Sequence, residues 1–174
     1  DVTAETALEG NVLVFYRCPW DEKIDEVIRM AKTLKKKVVF DMDDLNIDTI
    51  YTDGIPAVQQ MNPEERALYD DGVRRYGKTL SMCEAATTTT TRLAGEMRKY
   101  VPEVYINRNC ASEKMVLLSE EALAKQAREN RDVVTIGYFS GSITHNADFE
   151  MILPAVERIL LERQDVRLLL MGEL

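Results

Sequence analysis

Histidine is all but missing from this 174-residue chain, where His145 stands alone. One imidazole rules out a metal centre built from several histidines. It also leaves a Ser-His-Asp hydrolase only one residue to be built around. Cysteine is scarce: Cys18, Cys83 and Cys110 are odd in number and show no C-x-x-C spacing. That argues against a disulfide framework or a zinc site and for a reducing compartment. No apolar run approaches the ~18–20 residues needed to cross a bilayer. Positive charge is in deficit, with 22 Lys and Arg against 30 Asp and Glu and a net charge of −8. Nucleic-acid binding needs a basic face for phosphates, so that role is disfavoured. No signal-peptide pattern opens the chain, which starts on DVTAETALEG and stops on VRLLLMGEL. It reads as a piece of a longer protein.

A core can nonetheless be built, because 45% of the residues are hydrophobic. Residues 12–16 form a short apolar run that suits a buried parallel strand. Ile24, Val27, Ile28, Ala31 and Leu34 then repeat at helical spacing, with acids in the first turn and Lys35, Lys36 and Lys37 at the end. A strand at 38–40 follows, so the opening stretch reads as a βαβ unit. Residues 45–61 read as loop. Asn62-Pro63-Glu64-Glu65 carries the marks of a helix start, and Gly77 reads as its end. The pattern predicts strands at 79–83 and 104–106. Between them lies a helix at 92–100 whose cap comes from the threonine run 87–91. Residues 111–130 read as a polar helical connector, with Ser119 as a second start. Residues 133–139 and 166–171 read as strands around a helix with Phe149, Ile152, Leu153, Val156, Ile159 and Leu160 on one face. The class is therefore α/β with parallel, Rossmann-like sheets and flanking helices.

Two places carry chemistry. The first is KVVFDMDD, where Asp41, Asp43 and Asp44 crowd a strand end. Three carboxylates that close need a metal, a donor-rich pocket or a proton to coexist. Phe-Asp-Met-Asp resembles the first motif of haloacid-dehalogenase-type phosphatases. That resemblance would make Asp41 the nucleophile and Asp43 the acid/base beside magnesium. Three features count against it: Asp44-Leu45 stands where the family has Gly and Thr, a full βα unit comes first, and the late acidic pair is missing. A nucleophile without its metal ligands is not a mechanism. The D-x-D spacing also resembles the metal motif of GT-A glycosyltransferases, on only two residues. The plain alternative is a strand-end cluster facing a cleft, with Arg17 pairing to Asp43 or Asp44.

The second place is Ser140-Gly141-Ser142, between a strand and a helix start, followed by Ile143-Thr144-His145-Asn146. Small residues let a backbone approach a diphosphate, and helix amides favour anions. The stretch VTIGYFSGSITHNADFEMILPAVERILLERQDVRLLLMG resembles the start of the C-terminal domain of GT-B glycosyltransferases of the "group 1" kind, above all those that build surface polysaccharides such as rhamnans and O-antigens. VVFDMDDL, YGKTLSMCEAATTTTTRLAGEM and VYINRN follow the order of elements expected upstream.

The resemblance implies two incomplete GT-B halves. Residues 1–110 would be the C-terminal part of an N-terminal Rossmann-like domain, 111–131 a helical connector, and 132–174 the start of the donor-binding domain. It implies metal-independent transfer of a sugar from a nucleotide-sugar donor, without a bound cofactor, to a glycan or lipid-linked acceptor. The place would be the cytoplasm, peripheral at the inner membrane face. Ser140, Gly141, Ser142 and His145 would meet the donor phosphates. Arg17, Asp43, Asp44 and Asn109 would line the cleft. The chain has Gly137-Tyr138 where many relatives have Gly-Arg and a following Lys, so its phosphate contacts must differ. The paired glutamates of the later donor-sugar motif would lie beyond Leu174, which leaves the catalytic residues unassigned and the chain inactive by itself. A non-catalytic nucleotide-binding module is the remaining alternative. Incomplete sheets would also expose edges that invite pairing with a second copy. For His145, the plain alternative is a loop residue beside a helix cap at Asn146.

Overall fold

The computed structural model describes residues 3–126, 132–141 and 145–172. It is an α/β protein that divides into two compact units, residues 1–54 with 58–109, and 110–174 with 55–57.

The first unit is built on four parallel strands in the order β1-β2-β3-β4: Val12–Tyr16, Lys37–Asp41, Ala85–Thr88 and Glu103–Ile106. Helix α1 (Glu22–Thr33) joins β1 to β2. Asp21 caps it by accepting from the Ile24 N–H at 2.8 Å, which answers one of the amides a helix start leaves unpaired. Its stripe Ile24, Val27, Ile28 and Ala31 is buried, as the spacing predicts. It packs on β2 and on a 3-10 turn, Ala4–Leu8. Phe15, Val38, Phe40, Ala86 and Val104 project from the sheet into the same core, joined by Leu80, Ala94 and Met97. Phe40, Ile28, Leu80 and Met97 are wholly enclosed, and each contributes about 1.5–3 kcal/mol relative to exposure.

Between β2 and β3 lie three helices: α2 (Thr49–Thr52), α3 (Pro56–Gln59) and α4 (Pro63–Met82). The stretch 45–61 is thus partly helical rather than loop. Asn62 caps α4 with its side chain while Glu65 reaches back to the Asn62 N–H. The far end of α4 departs from the pattern. Gly77 does not stop the helix, and of residues 79–83, expected as a strand, 79–82 are its last turn and Cys83 is the extended cap residue. The strand begins only at Ala85. Gly77 is needed for space instead: a Cβ there would sit 2.1 Å from the Ile47 carbonyl oxygen. Helix α5 (Thr91–Met97) is capped by Thr90, which accepts from the Leu93 N–H at 3.2 Å, while Thr87 and Thr88 belong to β3.

In the second unit, helix α6 (Glu113–Gln126) runs through Ser119 without a second start. Strands β5 (Val134–Ser140) and β6 (Val166–Gly172) pair in parallel, and helix α7 (Asn146–Glu162) connects them. Tyr138 of β5 packs against Phe149 of α7, with ring centroids 4.7 Å apart. No helix among the described residues is long and apolar enough to cross a membrane.

Candidate functional site

In open parallel sheets, ligands bind outside the carboxyl ends of the strands. At that end of the first unit, Arg17 follows the last residue of β1. Its φ of 42° lies in the left-handed region, which costs a residue with a Cβ about 1–2 kcal/mol. The Arg17 N–H donates to the Asp41 carbonyl at 2.9 Å, adding a rung to the β1–β2 ladder. Its guanidinium spans the gap to the chain leaving β2. Nε donates to Asp43 Oδ1 at 2.7 Å and a terminal nitrogen donates to Asp44 Oδ2 at 2.8 Å. The bond to Asp43 is the main force raising the Arg17 pKa, against a smaller opposing effect of burial.

Three of the four cleft candidates therefore meet in one fork. A single cation faces two carboxylates, which answers how they coexist. Asp41 remains on its strand, opposite Tyr16 of β1 and Thr87 of β3. Asn109, the fourth candidate, is exposed in the stretch after β4 and joins no hydrogen bond among the described residues.

A neighbouring network was invisible in the sequence. Asp48 caps α2 by accepting from the Ile50 N–H, and its other oxygen accepts from the Tyr100 hydroxyl at 2.8 Å. Tyr51 of α2 donates to Glu96 of α5 at 2.6 Å. Burial first, and the bond to Asp48 second, push the Tyr100 hydroxyl's pKa well above its usual value. The partners lie so far apart in the chain that no local spacing announces them.

At the second place, Ser140 is not a loop residue. It is the last residue of β5, with its Cα opposite Gly172 of β6. Gly172 has a φ of 102°, and a Cβ on it would come within 1.8 Å of the Ser140 carbonyl oxygen, so only glycine fits there. Gly141 is exposed and leaves the strand, while Ser142 lies outside the described residues.

Helix α7 begins at Asn146, with His145 in the cap position and making no side-chain cap bond. Asn146 is therefore not the cap. Its Oδ1 is buried with no partner among the described residues. The Tyr138 hydroxyl donates to the His145 carbonyl at 3.3 Å. His145 Nδ1 lies 3.0 Å from Asp148 Oδ2, with both side chains more than half exposed. A carboxylate can only accept, so it selects the ring with a proton on Nδ1. Nε2 is then an acceptor in the neutral ring and a donor in the charged one.

Among the described residues, no group of three or more His, Cys, Asp or Glu is placed to hold a metal ion. A groove of about 400 Å³ in the first unit is lined by Trp20, Glu22, Asp25, Glu26, Arg29 and Lys78, none of them a residue singled out by the sequence. The Lys78 ammonium lies 3.0 Å from the centre of the Trp20 ring and covers it. Compared with family models, with curated proteins and with solved structures, the chain matches none.

Proposed function

We propose that the chain is part of a GT-B-type glycosyltransferase. The four-stranded sheet would belong to its N-terminal Rossmann-like domain, and β5–α7–β6 would open its nucleotide-sugar-binding domain. The observation that carries the reading is the position of one stretch. Of the run I-G-Y-F-S-G-S-x-T-H-N-x-D-F, on which the resemblance rests, residues 136–140 lie in the parallel strand β5 and residues 146–149 in the first turn of α7. A helix amino end carries roughly half a positive charge and unpaired amides, and so suits a diphosphate.

In this reading Gly141 admits the phosphates to the backbone. His145, oriented by Asp148 and held at its carbonyl by Tyr138, donates Nε2–H to a phosphate oxygen or accepts from a sugar hydroxyl. Transfer is metal-independent: backbone amides at the helix start and the His145 side chain meet the charge of the departing nucleoside diphosphate. The acceptor is a glycan or a lipid-linked glycan at the cytoplasmic membrane face. Arg17, Asp43 and Asp44 offer donors and acceptors for its hydroxyls. The phosphatase alternative is less well supported, because Asp43, its acid/base, already accepts from Arg17.

Calorimetric titration of UDP-, GDP- and dTDP-sugars into the protein tests the reading. One of them should bind, and His145→Ala should weaken it about tenfold, equivalent to ~1.4 kcal/mol. Binding by none of the three overturns the donor site. Transfer of sugar by the longer protein separates an enzyme from a module that only binds. Phosphomonoester hydrolysis that vanishes with a chelator and with Asp41→Asn would instead favour the phosphatase.

A further inference from the structure

The groove lined by residues of α1 and α4 has a preset floor. That floor is Trp20, the one tryptophan of the chain. Two hydrogen bonds fasten the Trp20 backbone to Arg75 of α4. The Trp20 N–H donates to the Arg75 carbonyl at 3.0 Å, and Arg75 Nε donates to the Trp20 carbonyl at 2.6 Å. A third bond aims the ring, with the indole N–H donating to Asp25 Oδ1 at 3.2 Å. An aromatic ring held in this way loses little freedom when a ligand arrives.

Glu22, Asp25, Glu26 and Arg29 form the wall. Their spacing puts them on the face of α1 opposite the buried stripe Ile24, Val27, Ile28 and Ala31. Asp25 and Arg29 neutralise each other in an ion pair. Glu22 and Glu26, one turn apart, make no ion pair or hydrogen bond among the described residues. Lys78 is the remaining cation of the lining, and it too pairs with no carboxylate among the described residues. Its ammonium lies over the Trp20 ring instead, where the negative face of an indole attracts a cation. A side chain of the protein thus displays the chemistry that the ring receives. Lys78 is exposed on α4, and its flexible four-carbon stem can swing aside while the helix stays in place.

We propose that this groove is a binding site for a linear polyamine. One ammonium of the ligand replaces that of Lys78 on Trp20, and the next reaches Glu22 and Glu26. The volume of about 400 Å³ lies within the range of small-ligand sites. An anion suits the groove poorly. Its two cations are already engaged, Arg29 by Asp25 and Lys78 by Trp20, and two unpaired carboxylates would repel it. A neutral ring would have to displace Lys78 from Trp20 with no charge of its own. The net charge of −8 draws a polycation from a distance. The groove shares no residue with the donor site proposed above.

Spermidine titrated into the protein tests the proposal, with the single indole N–H resonance of Trp20 as the reporter. The resonance should move and saturate between about 10 µM and 10 mM. Magnesium chloride at matched ionic strength should leave it in place. Lys78→Met removes the internal competitor, so spermidine should bind at least about threefold tighter. The double variant Glu22→Gln, Glu26→Gln should bind at least about threefold more weakly. All three positions are exposed, so both variants should keep the circular dichroism of the unaltered protein. A resonance that fails to saturate, or that follows magnesium as closely as spermidine, overturns the proposal. So does a Lys78→Met protein that binds spermidine no better than the unaltered one. Binding indifferent to the loss of both glutamates sinks it as well.

Discussion

Arg17 concentrates the most physics in one residue. It holds a left-handed backbone, extends a strand ladder and bridges two carboxylates. The bridge is part-exposed, with Arg17, Asp43 and Asp44 side chains at 42, 31 and 51% exposure, so solvent screening holds its worth to about 1 kcal/mol or less. The backbone strain is of similar size and opposite sign. Arg17→Ala loses the bridge and keeps the strain, whereas Arg17→Gly loses the bridge and relieves the strain. In urea denaturation, Arg17→Gly should be more stable than Arg17→Ala by about 1 kcal/mol; equal midpoints would remove strain from the account. The cysteines differ just as sharply. Burial pushes the Cys83 thiol up to about 12 and raises that of half-buried Cys18, while Cys110 is exposed. A disulfide-exchange dye at pH 8 should label one thiol quickly in the native protein and all three after unfolding. Cys83 has an ordinary value of 9.0 and is raised by folding. Its contribution to stability is therefore whole below pH 9.0 and shrinks as pH climbs toward about 12.

Helix α4 shows what can and cannot be read one element at a time. Its start was legible, because Asn62, Pro63 and Glu65 act within one turn of chain. Its end was misread, because a glycine that stops a helix and one that makes room for a neighbour look alike in sequence. Gly77 makes room for the Ile47 carbonyl, which approaches only in the folded protein. Gly72 lies in the same helix with nothing near its missing Cβ. Gly72→Ala should therefore raise stability by up to about 1 kcal/mol, the usual gain within a helix. Gly77→Ala should lower it despite the same gain in propensity. Thermal melts of the two variants should shift in opposite directions, and a shared direction would refute the spacing role. The strand at 79–83 failed for a related reason. Its short apolar stretch suits a strand or a buried helix turn equally, and only its place at the end of α4 decided.

At the scale of the molecule, stability is unevenly shared. The core cluster runs from Ala7 to Val104, all within the first unit. In the second, Val156 is the one buried hydrophobic residue among those described. Residues 1–109 should fold by themselves, with far-ultraviolet circular dichroism of an α/β protein and a cooperative melt. A gradual, non-cooperative melt of that piece would show that the rest of the chain is needed.

The sequence by itself determined what period and local chemistry can determine. It set the parallel β1–α1–β2 and β5–α7–β6 units, the helix start at Asn62, a cap for α5 somewhere in the threonine run 87–91, and the acidic crowd after β2. Each depends on residues within a few positions of one another, where side-chain spacing and backbone preference act directly. Tertiary structure alone decided that Arg17 would answer both Asp43 and Asp44, that Ser140 would finish a strand, and that Tyr51 and Tyr100 would tie α2 to Glu96 and Asp48. Those outcomes depend on which distant segments are brought within a few ångströms, and a carboxylate or a hydroxyl carries no local mark of the partner it will meet.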